Sequence, residues 1–128
     1  MEPRDRDPLT HEVIGAAIEV HRAFGPGLLE SAYEPCLCHE LQLRNIHHAR
    51  QVPLPVTYKS VQLDGGYRMD IVVNDSLVVE LKTVDQLLPI HESQLLTYLK
   101  LSGMATGLLL NFNSPTLRDG MKRIALTR

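Results

Sequence analysis

The hydrophobic pattern is clearest over residues 67–83, where two alternating, β-branched runs flank a polar break at residues 74–76. This pattern predicts a β-hairpin. Side chains of a strand alternate between the two faces of a sheet, so the odd-numbered apolar residues predict one buried face. Its seven members are Tyr67, Met69, Ile71, Val73, Leu77, Val79 and Leu81. The even positions carry the chemistry, and they are Arg68, Asp70, Val72, Val78, Glu80 and Lys82.

The length of the loop determines which polar residues face each other. The two odd-numbered sets share one face only if an odd number of residues closes the hairpin, which favours a three-residue loop over a two-residue turn. Val73 then faces Leu77, and Asp70 faces Glu80 with Lys82 one step along the same face. Cross-strand Cβ separations at such positions are roughly 4.5 to 8 Å. Two carboxylates and a lysine therefore converge.

Two interpretations of the opposed carboxylates are open, since like charges facing each other across a sheet are destabilising. In one, Asp70 and Glu80 bind a hard divalent cation such as Mg²⁺, which keeps waters for substrate, and Lys82 steers water or stabilises negative charge. In the other, Lys82 forms a diagonal salt bridge to Asp70 on a solvated face. Spacing alone does not separate the two, because these residue types are common on exposed strands.

The rest of the chain supplies three helices and further strands. Apolar residues at helical spacing predict helices over residues 8–23, 28–44 and 89–101. Residues 49–58 are predicted to be extended, with prolines that place them at an edge or a bulge. Residues 59–66 predict a turn or a short strand pair, and the apolar run 106–112 is typical of a strand covered on both sides. The segment 117–126 is compatible with a short strand or a helix.

This order predicts an α/β (α+β) fold with one mixed sheet, helices on its faces and a right-handed crossover through the third helix. A chain of 128 residues fits one domain. We expect that domain at residues 9–128, after a disordered N-terminal tail at residues 1–8. Because no apolar run approaches the roughly 20 residues that cross a bilayer, and the N-terminus lacks the apolar core of a signal peptide, we expect a cytoplasmic protein.

Composition narrows the functional classes. A net charge of -2 and a pI near 6.3 argue against a protein that coats nucleic acid by bulk electrostatics. They do not exclude a nuclease, since bound cations reverse the local charge of acidic ligands. The two cysteines are too few for a disulfide framework or a four-ligand zinc site, and the six histidines lack metal-ligand spacing.

Two motifs resemble a known family. The segment Gly27-Leu28-Leu29-Glu30-Ser31-Ala32-Tyr33 matches the GxxExxY signature of a bacterial family. Asp70 together with Glu80-Leu81-Lys82 matches the core of the PD-(D/E)XK nuclease superfamily, to which that family is assigned. Further similarity lies in Gln51-Val52-Pro53, in residues 66–70 and in residues 94–100. The resemblance covers roughly residues 9–125.

The resemblance implies a restriction-endonuclease-like αβββαβ core with an additional N-terminal helix. It assigns Asp70 and Glu80 as metal ligands and Lys82 as the catalytic lysine. A glutamate from the first core helix joins the metal site in related nucleases and corresponds to Glu30, and a glutamine beside the lysine corresponds to Gln94. Met69 stands where the superfamily pattern has proline. The residues expected to contact substrate are Arg68, Tyr98 and Tyr33, with a surface arginine and a half-buried tyrosine as the structural alternatives for the first two.

The predicted function is a nuclease that uses Mg²⁺ or Mn²⁺ to hydrolyse phosphodiester bonds of nucleic acid, with DNA favoured over RNA. The alternative is a catalytically inactive module that keeps the fold and binds nucleic acid or a protein. The acidic residues and the lysine favour the nuclease, whereas the lack of a basic excess favours the module. The small size is compatible with a homodimer around a duplex, which the sequence itself does not show.

Overall fold

The computed structural model describes residues 7–126, which form three helices, seven strands and a short 3₁₀ helix. The helices are α1 (Pro8–Phe24), α2 (Glu30–Leu43) and α3 (Pro89–Ser102). The strands are β1 (His48–Pro53), β2 (Val56–Tyr58), β3 (Val61–Leu63), β4 (Arg68–Val73), β5 (Leu77–Lys82), β6 (Thr106–Asn111) and β7 (Met121–Ala125), with the 3₁₀ helix at Leu117–Gly120. No helix in this part of the chain is both long and apolar enough to cross a membrane.

Five strands form one mixed sheet in the order β1-β4-β5-β6-β7. The pairs β1/β4, β4/β5 and β6/β7 are antiparallel, and β5/β6 is parallel, with α3 connecting its two strands. The strands β2 and β3, which lie between β1 and β4 in the sequence, form a separate two-stranded hairpin. The predicted mixed α+β fold with flanking helices is confirmed, and from α2 to β6 it is consistent with the αβββαβ core.

The sheet is covered on both faces. One hydrophobic cluster joins α1 and α2 to the sheet, and its strand members are Ile71, Val73, Leu77, Val79, Leu81, Leu108 and Leu110. The second cluster lies under α3 and contains Leu54, Met69, Val72, Val78, Leu95, Tyr98, Leu99 and Leu109. Burial of both faces removes the apolar surface of β5 and β6 from water. This burial stabilises the fold by roughly 25 cal/mol per Å² of apolar surface. It also removes Glu80 and Asn111, two polar residues of these strands, from water.

The central hairpin has the predicted register. Val73 pairs with Leu77, so residues 74–76 close a three-residue loop. Asn74 and Asp75 both have a φ of +52°, a left-handed conformation that Asn and Asp tolerate better than other non-glycine residues.

The prediction of one buried face is wrong at the start of this hairpin. Tyr67 is 51% exposed, and Met69 packs in the cluster under α3, whereas Ile71 packs under α1 and α2. The alternation is therefore interrupted between Met69 and Ile71. The opposite face is not a solvated polar face either, because Val72 and Val78 are buried there.

The ends of several elements differ from the sequence predictions. Helix α2 begins at Glu30 instead of residue 28, and Leu29 is 73% exposed. The segment 117–126, left open between strand and helix, contains the 3₁₀ helix followed by β7. Of the predicted disordered tail, residues 1–6 lie outside the described residues, while the Asp7 carboxylate accepts the Leu9 N–H and Pro8 begins α1.

Candidate active site

The ladder between β4 and β5 opens at Asp70 and Glu80. Main-chain pairing covers residues 71–73 opposite 77–79, and the same register would place Asp70 opposite Glu80. Side chains replace the main-chain bonds there: a Glu80 oxygen accepts the Asp70 N–H at 2.7 Å, and an Asp70 oxygen accepts the Leu81 N–H at 2.9 Å. The predicted convergence of the two carboxylates is therefore present, held by backbone donors.

The ladder on the other side of Asp70 is interrupted as well. Strand β1 pairs with β4 through residues 48–50 and again through Val52 and Pro53, but Gln51 and Asp70 do not form a pair. The register is the same on both sides of the gap, so no residue has been inserted. Gln51 has a φ of +50°, which turns its backbone out of the extended conformation. Asp70 thus lacks a ladder partner on both neighbouring strands.

Burial disfavours the charged forms of both carboxyl groups. Burial and, secondly, the charge of Asp70 raise the pKa of Glu80 to about 8. Burial also raises the pKa of Asp70, although its hydrogen bond from the Leu81 N–H acts in the opposite direction. The Lys82 ammonium lowers both pKa values without overcoming the effect of burial. The pair is electrostatically unfavourable unless a proton or a cation joins it.

Lys82 is oriented by α3 and not by a carboxylate. Its Nζ donates to Oε1 of Gln94 at 3.2 Å, and Nε2 of Gln94 donates to the Tyr98 hydroxyl at 3.3 Å. No ion pair joins Lys82 to Asp70 within 4 Å, so the diagonal salt bridge considered as an alternative does not form. Burial and then the charge of Glu80 raise the pKa of Tyr98.

A cleft of about 340 Å³ opens next to Asp70, on the side of α2. Its lining consists of Glu30, Ser31, Glu34, Arg50, Gln51, Asp70 and Leu81. The first turn of α2 brings Glu30 to this cleft, where one of its oxygens accepts the Thr83 hydroxyl at 3.4 Å. Nevertheless, no three His, Cys, Asp or Glu side chains within residues 7–126 are grouped closely enough to hold a metal ion. The role of Glu30 as a third ligand therefore stays a prediction.

Asp70 and Glu80 by themselves fit a hard divalent cation. Each commits one oxygen to a backbone N–H, and no hydrogen bond within residues 7–126 occupies the other oxygen. Two carboxylates with free oxygens are the donor set with which Mg²⁺ is commonly held while it keeps several waters. Burial, the main cause of the raised pKa values of both groups, disfavours their charged forms, and a bound cation would offset this effect.

The three residues predicted to contact substrate occupy different environments. Arg68 is exposed and lines a neighbouring cleft of about 380 Å³ beside the β2–β3 hairpin, and its Nη1 donates to the Gln51 carbonyl at 3.3 Å. Tyr98, a residue of α3, is 7% exposed and packs between this helix and the sheet. Tyr33 is fully buried and stacks on Phe112 with ring centroids 4.5 Å apart. This burial argues against the substrate contact predicted for Tyr33.

Sequence reasoning missed the role of Glu34, Arg50 and Gln51. Glu34 is buried in the wall of the cleft and binds both of the other side chains. Two signals in the sequence were available. Glu34 lies one helical turn after Glu30, on the same face of α2, and Gln51 belongs to the Gln51-Val52-Pro53 motif. The positive φ of Gln51, which brings the three together, has no signal in the residue types.

A sequence profile described as the PD-(D/E)XK nuclease superfamily matches residues 7–124 of the chain. The match includes all three helices, the complete five-stranded sheet up to residue 124, and each residue of the site described above. No significant match to the chain is found among curated proteins or among solved structures.

Proposed function

The chain belongs to the PD-(D/E)XK nuclease superfamily, and from this we propose that it is a metal-dependent nuclease acting on the phosphodiester bonds of nucleic acid. Nucleases of this superfamily generally use divalent metals. The observation that carries the proposal is the pair of carboxylates at the point where the β4–β5 ladder ends, half-buried Asp70 and buried Glu80. Lys82 lies on β5 with Glu80, two residues further along the strand.

Each side chain of the site has a proposed role. The free oxygens of Asp70 and Glu80 would hold Mg²⁺ or Mn²⁺, which would supply a Lewis acid and an activated water. The Lys82 ammonium stabilises the negative charge that develops on the phosphate, as positioned donors do in other hydrolytic sites. Gln94 fixes the direction of that ammonium through its 3.2 Å hydrogen bond. Burial of the carboxylates strengthens all of these electrostatic interactions by excluding water.

Further parts of the proposal reach beyond the two central carboxylates. Glu30 would be the third metal ligand, since it lines the cleft together with Asp70. Arg68 and Tyr98 contact the nucleic acid, with the exposed guanidinium of Arg68 as the phosphate contact. We also propose that the chain is a member of the GxxExxY family, an assignment supported by the motif match at Gly27, Glu30 and Tyr33. We further propose that DNA is the preferred substrate and that a homodimer embraces a duplex.

The test is cleavage of labelled DNA and RNA in the presence of Mg²⁺ or Mn²⁺, with metal-chelated samples as blanks. We expect cleavage by the wild-type protein and a loss of at least about 100-fold in the Lys82→Ala variant, the usual effect of removing a charge-stabilising donor. Lys100→Ala, which removes an exposed lysine from the end of α3, is the matched control and should cleave normally. Cleavage that survives in Lys82→Ala would refute the mechanism.

The same experiment addresses the inactive module. Binding of DNA or RNA without cleavage under every metal condition would contradict the proposed activity and favour a binding role for the same cleft. The net charge of -2 makes such binding weak unless the cation is present, so affinity should be measured with and without Mg²⁺.

A further inference from the structure

Glu34 is a buried carboxylate beside the proposed metal site, yet it has no free oxygen to offer a cation. Its side chain is 9% exposed. Oε2 accepts Nε of Arg50 at 3.1 Å and Nη2 of Arg50 at 2.8 Å, and Oε1 accepts Nε2 of Gln51 at 2.8 Å. Charge-assisted bonds of this kind are among the stronger hydrogen bonds in proteins. Glu34 therefore binds two residues of β1 and no part of the carboxylate pair.

Gln51 is held from two sides. Its side chain is bound by Glu34, and its carbonyl accepts Nη1 of Arg68 at 3.3 Å. Between these two attachments the backbone has a φ of +50°, which non-glycine residues adopt rarely and mainly where their surroundings impose it. Gln51 has no glycine-like freedom that would favour this conformation, so the bonds to its neighbours are what maintain it.

The conformation of Gln51 determines whether the backbone of Asp70 pairs with β1. An extended residue 51 would complete the β1–β4 ladder, since pairing has the same register before and after it. With Gln51 turned away, the strand is released at Asp70, Met69 packs under α3, and Oδ2 of Asp70 accepts the Leu81 N–H from β5. The cleft with Asp70 in its wall lies between these elements.

We propose that Glu34 is a positioning residue for Asp70: it holds Gln51 out of the β1–β4 ladder, and this keeps the Asp70 carboxylate on the Leu81 N–H with one oxygen free for a cation. The consequence for catalysis rests on the proposed function, whereas the effect on Asp70 does not. The competing interpretation is that Glu34 only neutralises Arg50, in which case its loss weakens the fold as a whole and leaves the Asp70 site unchanged.

The test measures hydrogen exchange of single backbone amides by NMR, in protein free of metal and nucleic acid. Glu34→Gln keeps the shape of the side chain and weakens its hydrogen bonds with Arg50 and Gln51. We expect exchange of the Leu81 amide to become at least about 10-fold faster relative to the core amide of Leu108. Glu40→Gln is the matched control, because Glu40 also lies on α2 and pairs with an arginine, Arg44, at 2.9 Å, but does not line the cleft. It should leave that ratio unchanged.

A second variant keeps the proposal testable if Glu34→Gln does not fold. Gln51→Gly removes the side chain that Glu34 holds while permitting any φ, and it should reproduce the faster exchange of Leu81. In both variants, Mg²⁺ affinity measured by calorimetry should fall about 10-fold, as it does when residues that orient metal ligands are removed. If the Leu81 and Leu108 amides accelerate equally in Gln51→Gly and in any folded Glu34→Gln protein, the proposal is overturned.

The nuclease activity and the positioning role of Glu34 can be refuted separately. A protein that never cleaves nucleic acid would refute the nuclease while the Leu81 exchange ratio still decides the role of Glu34. Conversely, an unchanged exchange ratio in a protein that cleaves would refute the positioning role alone.

Discussion

Glu80 accepts the backbone N–H of Asp70 at 2.7 Å, across the opening in the ladder between β4 and β5. The neighbouring bond runs the other way, from the Leu81 N–H to the Asp70 carboxylate. Each carboxylate thereby fills the place of a missing main-chain acceptor, which is why the strand pair tolerates two acidic residues at this point. The same bonds fix the direction of both side chains before any cation arrives, and preorganisation of this kind lowers the cost of binding.

Stability without metal should depend on pH through Glu80. Its pKa rises from an ordinary 4.5 to about 8 in the folded protein, so between these values the folded state binds a proton that the unfolded state has lost. The resulting stability is fully present below pH 4.5 and is lost as the pH rises towards 8. We expect the unfolding midpoint of the metal-chelated protein to fall between pH 5 and pH 8, by several degrees if the effect exceeds about 1 kcal/mol.

The control for this pH effect is Glu80→Gln, which cannot ionise and should show a flatter profile over the same range. Adding Mg²⁺ to the wild-type protein at pH 8 should raise the midpoint, because a ligand that binds only the folded state stabilises it. A wild-type profile that rises between pH 5 and pH 8, or that matches Glu80→Gln, would contradict the raised pKa.

The sequence predicted the register of the central hairpin because the information for it is local. Alternation and the odd-numbered loop determine the pairing of Val73 with Leu77, and from there the approach of Asp70 to Glu80. The pairing of Lys82 with Gln94 was expected from family resemblance and is present in the structure.

Other features of the site depend on tertiary structure and lay beyond the sequence pattern. The switch of Met69 to the α3 side occurs opposite a Gln51 with a positive φ, and the Gln51 side chain is bound by Glu34, 17 residues earlier. The burial of Glu80 depends on α3 covering the face that alternation suggested would be solvated. Residue types alone do not encode either relationship, since both arise from elements that meet only in the folded chain.

Close packing of α3 on β6 predicts that Gly107 does not accept a larger residue. A Cβ at this position would lie 2.8 Å from Cγ, Cδ1 and Cδ2 of Leu95, whose side chain is fully buried. We expect Gly107→Ala to lower the free energy of unfolding by about 1 to 3 kcal/mol through overpacking, measured by urea denaturation. Leu95→Val in the same background should recover part of the loss. No change in Gly107→Ala would show that Leu95 moves aside freely.

Removal of the hydrogen bond that orients Lys82 should affect turnover more than binding. In Gln94→Ala the ammonium loses its 3.2 Å acceptor and samples more directions. We expect kcat to fall about 10-fold, equivalent to roughly 1.4 kcal/mol of transition-state stabilisation, with KM and Mg²⁺ affinity nearly unchanged. Thr97→Ala, at another exposed position of α3, is the control and should retain the wild-type kcat. A rise in KM without a fall in kcat would instead assign Gln94 to substrate binding.

Substitution of Tyr33 distinguishes a structural role of this residue from a role in substrate binding. Its hydroxyl accepts the Leu28 N–H at 3.1 Å and donates to the Gly25 carbonyl, so it closes the turn between α1 and α2. Tyr33→Phe leaves these two backbone groups without their partner, and we expect a loss of about 1 to 3 kcal/mol in the free energy of unfolding. Well below the unfolding midpoint, kcat and KM for nucleic-acid cleavage should be unchanged. Tyr58→Phe, at a tyrosine that is 63% exposed, should change neither property. A raised KM in Tyr33→Phe with unaltered stability would restore the substrate contact predicted from the sequence.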